Sequence, residues 1–201
     1  MLVLRSSPAS PFGRKVKIAA ALLGLSDRIS VQRADTTDPA DPLRTQNPLG
    51  KIPTLVLENG ETLYDSRVIV EYLETLAERG ALTPAGGDRF AVLRQQSLAD
   101  GVMDAAILQS YETRWRAEDR REPRWVDHQQ GKIDRALATA EATLSTPAPA
   151  LHIGHVALAC ALGYLDLRFE GRWRPAHPKL VGWLTDFETR VPAFAATRMA
   201  A

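Results

Sequence analysis

Strand, helix, strand is the order at the start of this chain. Leu2-Val3-Leu4 is a short apolar run, Val16, Ile18, Ala19, Leu22 and Leu23 recur at helical spacing until Gly24 supplies a stop, and Ile29-Ser30-Val31 is a second apolar run. Such a βαβ unit implies a parallel strand pair with a right-handed crossover, the one hand in which a twisted strand and its helix pack back onto the sheet. Beyond a polar stretch from about Asp35 to Asn47, Thr54-Leu55-Val56-Leu57 reads as a third strand. Glu58-Asn59-Gly60-Glu61 is a tight turn and Thr62-Leu63-Tyr64 its hairpin partner. A helix then starts at Asp65-Ser66, carries Val68, Ile69, Tyr72, Leu73 and Leu76 on its apolar face, and is expected to stop at Gly80.

The order βαβ then ββα is the thioredoxin-like arrangement. Pro84-Ala85-Gly86-Gly87 has the composition of a linker, and no convincing strand follows it. Leu93, Leu98, Val102, Ile107 and Leu108 follow a helical pattern from Arg89 to about Asp119, and Ile133, Leu137 and Leu144 another from Trp125 to Leu144. Ile153 to Phe169 is so dense in Ala and Leu that it is expected to lie at the centre of a helical bundle. Pro178 to Val191 completes the bundle, and Thr146-Pro147-Ala148-Pro149 reads as a loop. The expected organisation is an α/β thioredoxin-like domain over residues 1–80, a linker over 81–87 and an all-α helical bundle domain over 88–201.

Basic and acidic residues number 25 and 24, so no long-range positive field is available to hold nucleic acid or an anionic membrane. The apolar run at the N-terminus is too short for the core of a signal peptide, and none elsewhere approaches the roughly 20 residues that span a bilayer. A soluble, cytoplasmic protein is expected. Cys160 is the single cysteine, which excludes an internal disulfide and a multi-cysteine zinc site, and its Ala-rich surroundings mark it as structural. His128, His152, His155 and His177 lack a zinc-helix arrangement, so no metal is expected.

Three segments carry a more specific resemblance. Ser10-Pro11-Phe12-Gly13-Arg14-Lys15-Val16 is similar to the start of the first helix in serine- and cysteine-type glutathione transferases of the zeta, theta and omega kind. Asn47-Pro48-Leu49-Gly50-Lys51-Ile52-Pro53-Thr54-Leu55 resembles the loop that carries their cis-proline, and Leu63-Tyr64-Asp65-Ser66 with Ile69-Val70-Glu71-Tyr72-Leu73 resembles their acidic-Ser motif and third helix. The pattern His177-Pro178-Lys179-Leu180, Trp183, Arg190-Val191-Pro192-Ala193-Phe194 resembles the end of the family's helical domain. One departure stands out: His152-Ile153-Gly154-His155 replaces the family's Ser or Thr capping box with its acidic partner.

The resemblance implies glutathione as co-substrate. A free thiol of pKa near 8.5 is mostly protonated at neutral pH, and the enzyme must favour the thiolate. A hydroxyl donating to that thiolate contributes roughly 1.5–3 kcal/mol, and a helix N-terminus about 0.3–1 kcal/mol, together worth roughly one to three pKa units. Ser10, at the strand-to-helix junction ahead of Pro11, is the candidate hydroxyl; an ordinary N-cap has the same appearance, and Ser6 and Ser7 are the alternatives. Ile52, ahead of Pro53, is implied to offer its backbone amide and carbonyl to the cysteinyl part of glutathione in the manner of an added strand. Asp65 and Ser66, at a helix N-terminus, are implied to receive the γ-glutamyl ammonium and carboxylate. Lys51 is the candidate for the glycine carboxylate, with Arg44 as a further basic residue to consider.

Phe12 together with Met103, Ile107, Tyr111 and Trp115, the last four at 4-residue steps along one helix face, form the candidate acceptor pocket. A small, largely apolar electrophile is the expected acceptor, detoxification the expected role and a homodimer the expected assembly. Two other functions share the fold: a non-catalytic protein-binding module, and a zeta-like glutathione-dependent isomerase. Retention of Ser10, Ile52-Pro53 and Asp65-Ser66 favours the transferase over a scaffold, and the zeta-like reading stays open although the first-helix entry lacks that class's Ser-Ser-Cys signature.

Overall fold

The computed structural model describes residues 1–77, 82–144 and 150–199 of the chain. It separates into two compact units, Met1–Pro84 with Val191–Ala200, and Ala85–Arg190. The C-terminal segment therefore belongs with the first unit rather than with the helices that precede it. The anticipated stop at Gly80 and the loop 146–149 lie outside the described residues.

In the first unit β1 (Leu2–Ser6) runs parallel to β2 (Ile29–Arg33), with Leu2 opposite Ile29 and Ser6 opposite Arg33. β3 (Thr54–Val56) lies antiparallel on the other side of β1, and β4 (Thr62–Leu63) antiparallel to β3, giving the order β2-β1-β3-β4. α1 (Pro11–Leu22) is the crossover and packs against α3 (Ser66–Leu76). Leu4 and Leu55 of the sheet, Ile18 of α1 and Ile69 of α3 are all fully buried, each contributing about 1.5–3 kcal/mol relative to exposure. This is the thioredoxin-like order.

Two short α-helices went unanticipated. α2 (Leu43–Gln46) forms inside the polar stretch, held by Asp41, whose carboxylate accepts from the N–H groups of Asp35 and Leu43 and from Arg5 at 2.7 Å. The Asp35 N–H is the main cause that holds the Asp41 carboxyl below its ordinary range, aided by Leu43 and Arg5. α8 (Pro192–Ala196) is the second, five residues too short for periodicity to reveal.

The second unit is helical: α4 (Arg89–Trp115), α5 (Pro123–Thr143), α6 (Ile153–Phe169) and α7 (Pro178–Arg190). α4 stops short of Asp119, because Arg116 turns extended. α6 is buried on nearly every side from Ile153 to Leu165, against α4 and α7. Glu141 of α5 accepts from the Lys179 and Leu180 N–H groups, both at 2.9 Å, and so caps α7 from a neighbouring helix.

At the start of α6, His152 occupies the N-cap position without a side-chain cap hydrogen bond, as the missing capping box implied. Its ring stacks on that of His155 at 3.6 Å between centroids, and His155 in turn lies 5.9 Å from Trp183. Burial, reinforced by His152 and Arg190, holds the His155 imidazole down at about 4, and burial also lowers His152.

Candidate active site at one end of the sheet

Sheet register brings the motifs together. β1 ends at Ser6, and its antiparallel neighbour β3 begins at Thr54, opposite Arg5. β4 pairs Leu63 with Leu55 and therefore finishes at that same end, directly ahead of Asp65 and α3. The start of α1, the Lys51-Ile52-Pro53 loop and the start of α3 thus cluster at one end of the sheet.

At the first of these, Ser10 is the N-cap of α1. Its N–H donates to Ser7 O at 3.2 Å, its C=O accepts from Arg14 N–H at 2.9 Å, and its Oγ accepts from Gly13 N–H at 3.0 Å. The Ser10 hydroxyl proton is left with no acceptor among the described residues. A hydroxyl has one donor and two acceptor lone pairs, so a capping serine remains able to donate. Capping and donating to a thiolate are compatible, and the two readings of Ser10 need not compete.

Gly13 makes the tight first turn possible. A Cβ there would stand 2.0 Å from Ser6 Oγ, so the helix approaches the end of β1 only because no side chain intervenes. Ser6 is buried and packed beneath the turn, and Ser7 is half-buried.

In the second segment the Ile52–Pro53 bond is cis. Among the described residues no hydrogen bond engages the backbone of Ile52, and Lys51 is exposed. The loop's shape comes from residues to which the sequence pattern assigned no role. Asn47 Nδ2 donates to Lys51 O at 2.9 Å and to Thr54 Oγ1 at 3.2 Å, while its Oδ1 accepts from Leu49 N–H at 3.0 Å. Thr54 Oγ1 also donates to Lys51 O at 3.0 Å, and both Asn47 and Thr54 are buried. Gly50 supplies the positive φ of 60° that lets the chain turn ahead of Lys51. Asparagine in a turn, followed by Pro and then Gly, was the available signal.

At the third, Asp65 is the N-cap of α3 and accepts from Arg67 N–H at 2.8 Å, with its carboxylate exposed. Ser66 is buried at the first helical position, its hydroxyl without a hydrogen-bond partner among the described residues. The three segments together supply an unengaged amide and carbonyl, a helix N-terminus with an exposed carboxylate and a buried hydroxyl, and a hydroxyl donor: a set that fits a peptide with a free α-amino acid end and a thiol.

Other candidates fall elsewhere. Arg44 donates to Thr36 O at 3.1 Å and to Asp38 O, which commits its guanidinium to the neighbouring loop. Phe12, half-buried, has the Lys15 ammonium 5.5 Å from its ring centroid. In the second unit, the stripe along α4 runs from core to surface: Met103 is fully buried, Ile107 half-buried, Tyr111 and Trp115 exposed. Met103 therefore serves the core of the helical unit. Cys160 is buried within α6. Among the described residues no group of three or more His, Cys, Asp or Glu is placed to hold a metal, and no helix is long and apolar enough to cross a membrane.

A thioredoxin-like unit with a serine at the start of its first helix and a cis-proline loop beside it, joined to a helical unit, defines a protein of the glutathione transferase class. Family models agree: that of the glutathione S-transferase N-terminal domain matches residues 9–76 and that of the C-terminal domain residues 123–186. The chain belongs to the glutathione S-transferase family. It is 32% identical over 199 residues to the uncharacterized GST-like protein YibF of Escherichia coli K12, with 96% of each chain covered. A glutathione transferase family member of Pseudomonas fluorescens Pf-5, crystallised with bound glutathione, matches with a TM-score of 0.94 and 41% identity over 100% of both chains. A second crystal structure of that relative, with bound S-(propanoic acid)-glutathione, matches with a TM-score of 0.90 at 41% identity, again over 100% of both chains.

Proposed function

We propose that this chain is a glutathione transferase that activates the glutathione thiolate for conjugation to a small, largely apolar electrophile. The observation that carries this reading is the hydrogen-bonding state of Ser10, whose Oγ is oriented by Gly13 N–H while its own proton stays available to donate. The 41%-identical relative with glutathione bound supports the ligand, and its complex with a glutathione bearing propanoic acid on sulfur supports a small acceptor.

In this mechanism residues 1–80 form the glutathione-binding domain and the helices from 88 to 190 the helical one, with the segment from Val191 belonging to the first. Ile52 pairs its N–H and C=O with the cysteinyl part of glutathione, Pro53 sets that loop, and Lys51 attracts the glycine carboxylate. Asp65 receives the ammonium, and Ser66 with the N–H groups at the start of α3 receives the γ-glutamyl carboxylate. The Ser10 O–H donates to the sulfur, which releases its proton to solvent and attacks the electrophilic carbon. A new carbon–sulfur bond forms as the leaving group departs with its electron pair, or as the opened double bond takes up a proton. Phe12 and the α4 side chains Ile107, Tyr111 and Trp115 are the proposed acceptor contacts. A cytoplasmic homodimer with a role in detoxification completes the reading, and sedimentation at micromolar concentration showing only monomer refutes the dimer.

Ser10→Ala tests the centre of the proposal. It is expected to keep glutathione affinity by titration calorimetry while raising the bound thiol's pKa by about one to two units, since a donor bond to a charged group contributes roughly 1.5–3 kcal/mol. Activity toward a test electrophile then falls most at neutral pH and recovers in alkali. An unchanged pH–rate profile moves the assignment to Ser6, Ser7 or a backbone amide. Ser10→Cys in a Cys160→Ala background should attack oxidised glutathione through its thiolate, form a mixed disulfide detectable by mass and release one glutathione.

A further inference from the structure

The chain returns to its first unit after α7, and the contact it makes there falls on the turn that holds Ser10. Arg14, in the first turn and a half of α1, is buried. Its guanidinium Nε donates to Thr197 Oγ1 at 3.2 Å, a second nitrogen donates to Phe194 O, and the guanidinium carbon lies over the Phe194 ring, 3.9 Å from its centroid. Phe194 is itself fully buried, and Thr197 Oγ1 in turn donates to Ala193 O at 2.7 Å. A single side chain thus meets a carbonyl, a hydroxyl and a ring face of the segment 192–197, and only a planar fork with several donors satisfies all three at once.

The other end of Arg14 is the Ser10 contact. Its N–H closes the first helical hydrogen bond onto Ser10 C=O at 2.9 Å, next to the Gly13 N–H that orients Ser10 Oγ at 3.0 Å. Beneath that turn Gly13 rests on Ser6 Oγ with no room for a side chain. The turn is therefore braced from below by the end of β1 and clasped by the C-terminal segment.

We propose that Arg14, held by Phe194 and Thr197 of the C-terminal segment, is a positioning residue for the Ser10 hydroxyl. The proposal rests on Ser10 acting on the glutathione thiol. Bond-forming geometry is sensitive on the scale of 1 Å, where misplacement costs about a hundredfold in rate, so a clasp that fixes one helical turn bears directly on catalysis.

The test uses the full chain with Arg14→Lys, which keeps the charge but loses the fork, and Thr197→Val, which removes one acceptor with little change of shape. For each, the thiolate absorbance of bound glutathione is titrated against pH, and conjugation of a test electrophile is followed alongside glutathione affinity and the thermal midpoint. Both variants are expected to raise the bound thiol's pKa by about half a unit or more, Arg14→Lys the further, with affinity within about twofold. Ser10→Ala is run in parallel. If it raises the thiol pKa and neither clasp variant does, whatever their thermal midpoints, the clasp serves folding alone and the inference is overturned. If Ser10→Ala leaves the thiol pKa unchanged, the functional reading of Ser10 fails instead. Should Arg14→Lys not fold, Thr197→Val alone decides by the same titration.

Discussion

Acidification from about pH 7 to about pH 5 tests the histidine pair at the start of α6. An unfolded histidine takes up its proton near 6.5, whereas folded His155 does so only at about 4, mainly because it is buried and further because His152 and Arg190 repel the added charge. The positive end of the helix macrodipole acts in the same direction. Between those two values the unfolded state binds more protons than the folded state, so stability rises with pH: it is fully present above 6.5 and is lost as pH falls toward 4. A shift from 6.5 to about 4 corresponds to about 2 kcal/mol lost between pH 7 and pH 5, and residual solvent screening reduces this to about 1–2 kcal/mol. Urea denaturation at both pH values measures the loss. Repeating it on His155→Leu isolates the residue, because the variant is expected to lose much of the pH slope whatever its absolute stability. His155 titrating near 6.5 by NMR, or an equal pH slope in wild type and variant, refutes the reasoning.

Ser66→Ala is expected to weaken glutathione binding by about 1–3 kcal/mol, the scale of a lost bond to a carboxylate, with the thermal midpoint within a few degrees; unchanged affinity with early unfolding would leave Ser66 a purely structural residue. Asn47→Ala removes three hydrogen bonds from a buried site. Calorimetry should register a stability loss of about 2–3 kcal/mol together with weaker glutathione binding, since the Lys51-Ile52-Pro53 loop loses its frame; intact binding contradicts that role. Glu141→Ala strips the cap from α7 and should cost about 1–2 kcal/mol in urea denaturation, with no change in glutathione affinity.

The elements that repeat a local pattern were legible in the sequence. Periodicity marked β1, α1, β2, α3 and the long helices, because apolar side chains must recur at 2.0 or 3.6 residues to reach one core. Ser10-Pro11, Ile52-Pro53 and Asp65-Ser66 were legible for a similar reason: caps and proline loops are short-range chemistry, written in adjacent residues. Short elements escaped this logic. α2 is set by Asp41, and α8 by its packing on α1. The stripe Met103, Ile107, Tyr111 and Trp115 was correctly aligned on one helix, yet spacing alone does not say where along its length a neighbour stops covering it, and only packing decided that Met103 is core and Trp115 exposed. The same holds for every contact made across long separations. Asn47 framing Lys51, Glu141 capping α7, His155 stacked on His152 beside Trp183, and Arg14 gripping Phe194 across 180 positions all depend on which surfaces the chain buries together. The sequence by itself determined which segments become strands and helices and which residue types stand at their ends; the tertiary structure alone decided which of those ends meet, because buried polar groups take the partners that packing brings within reach.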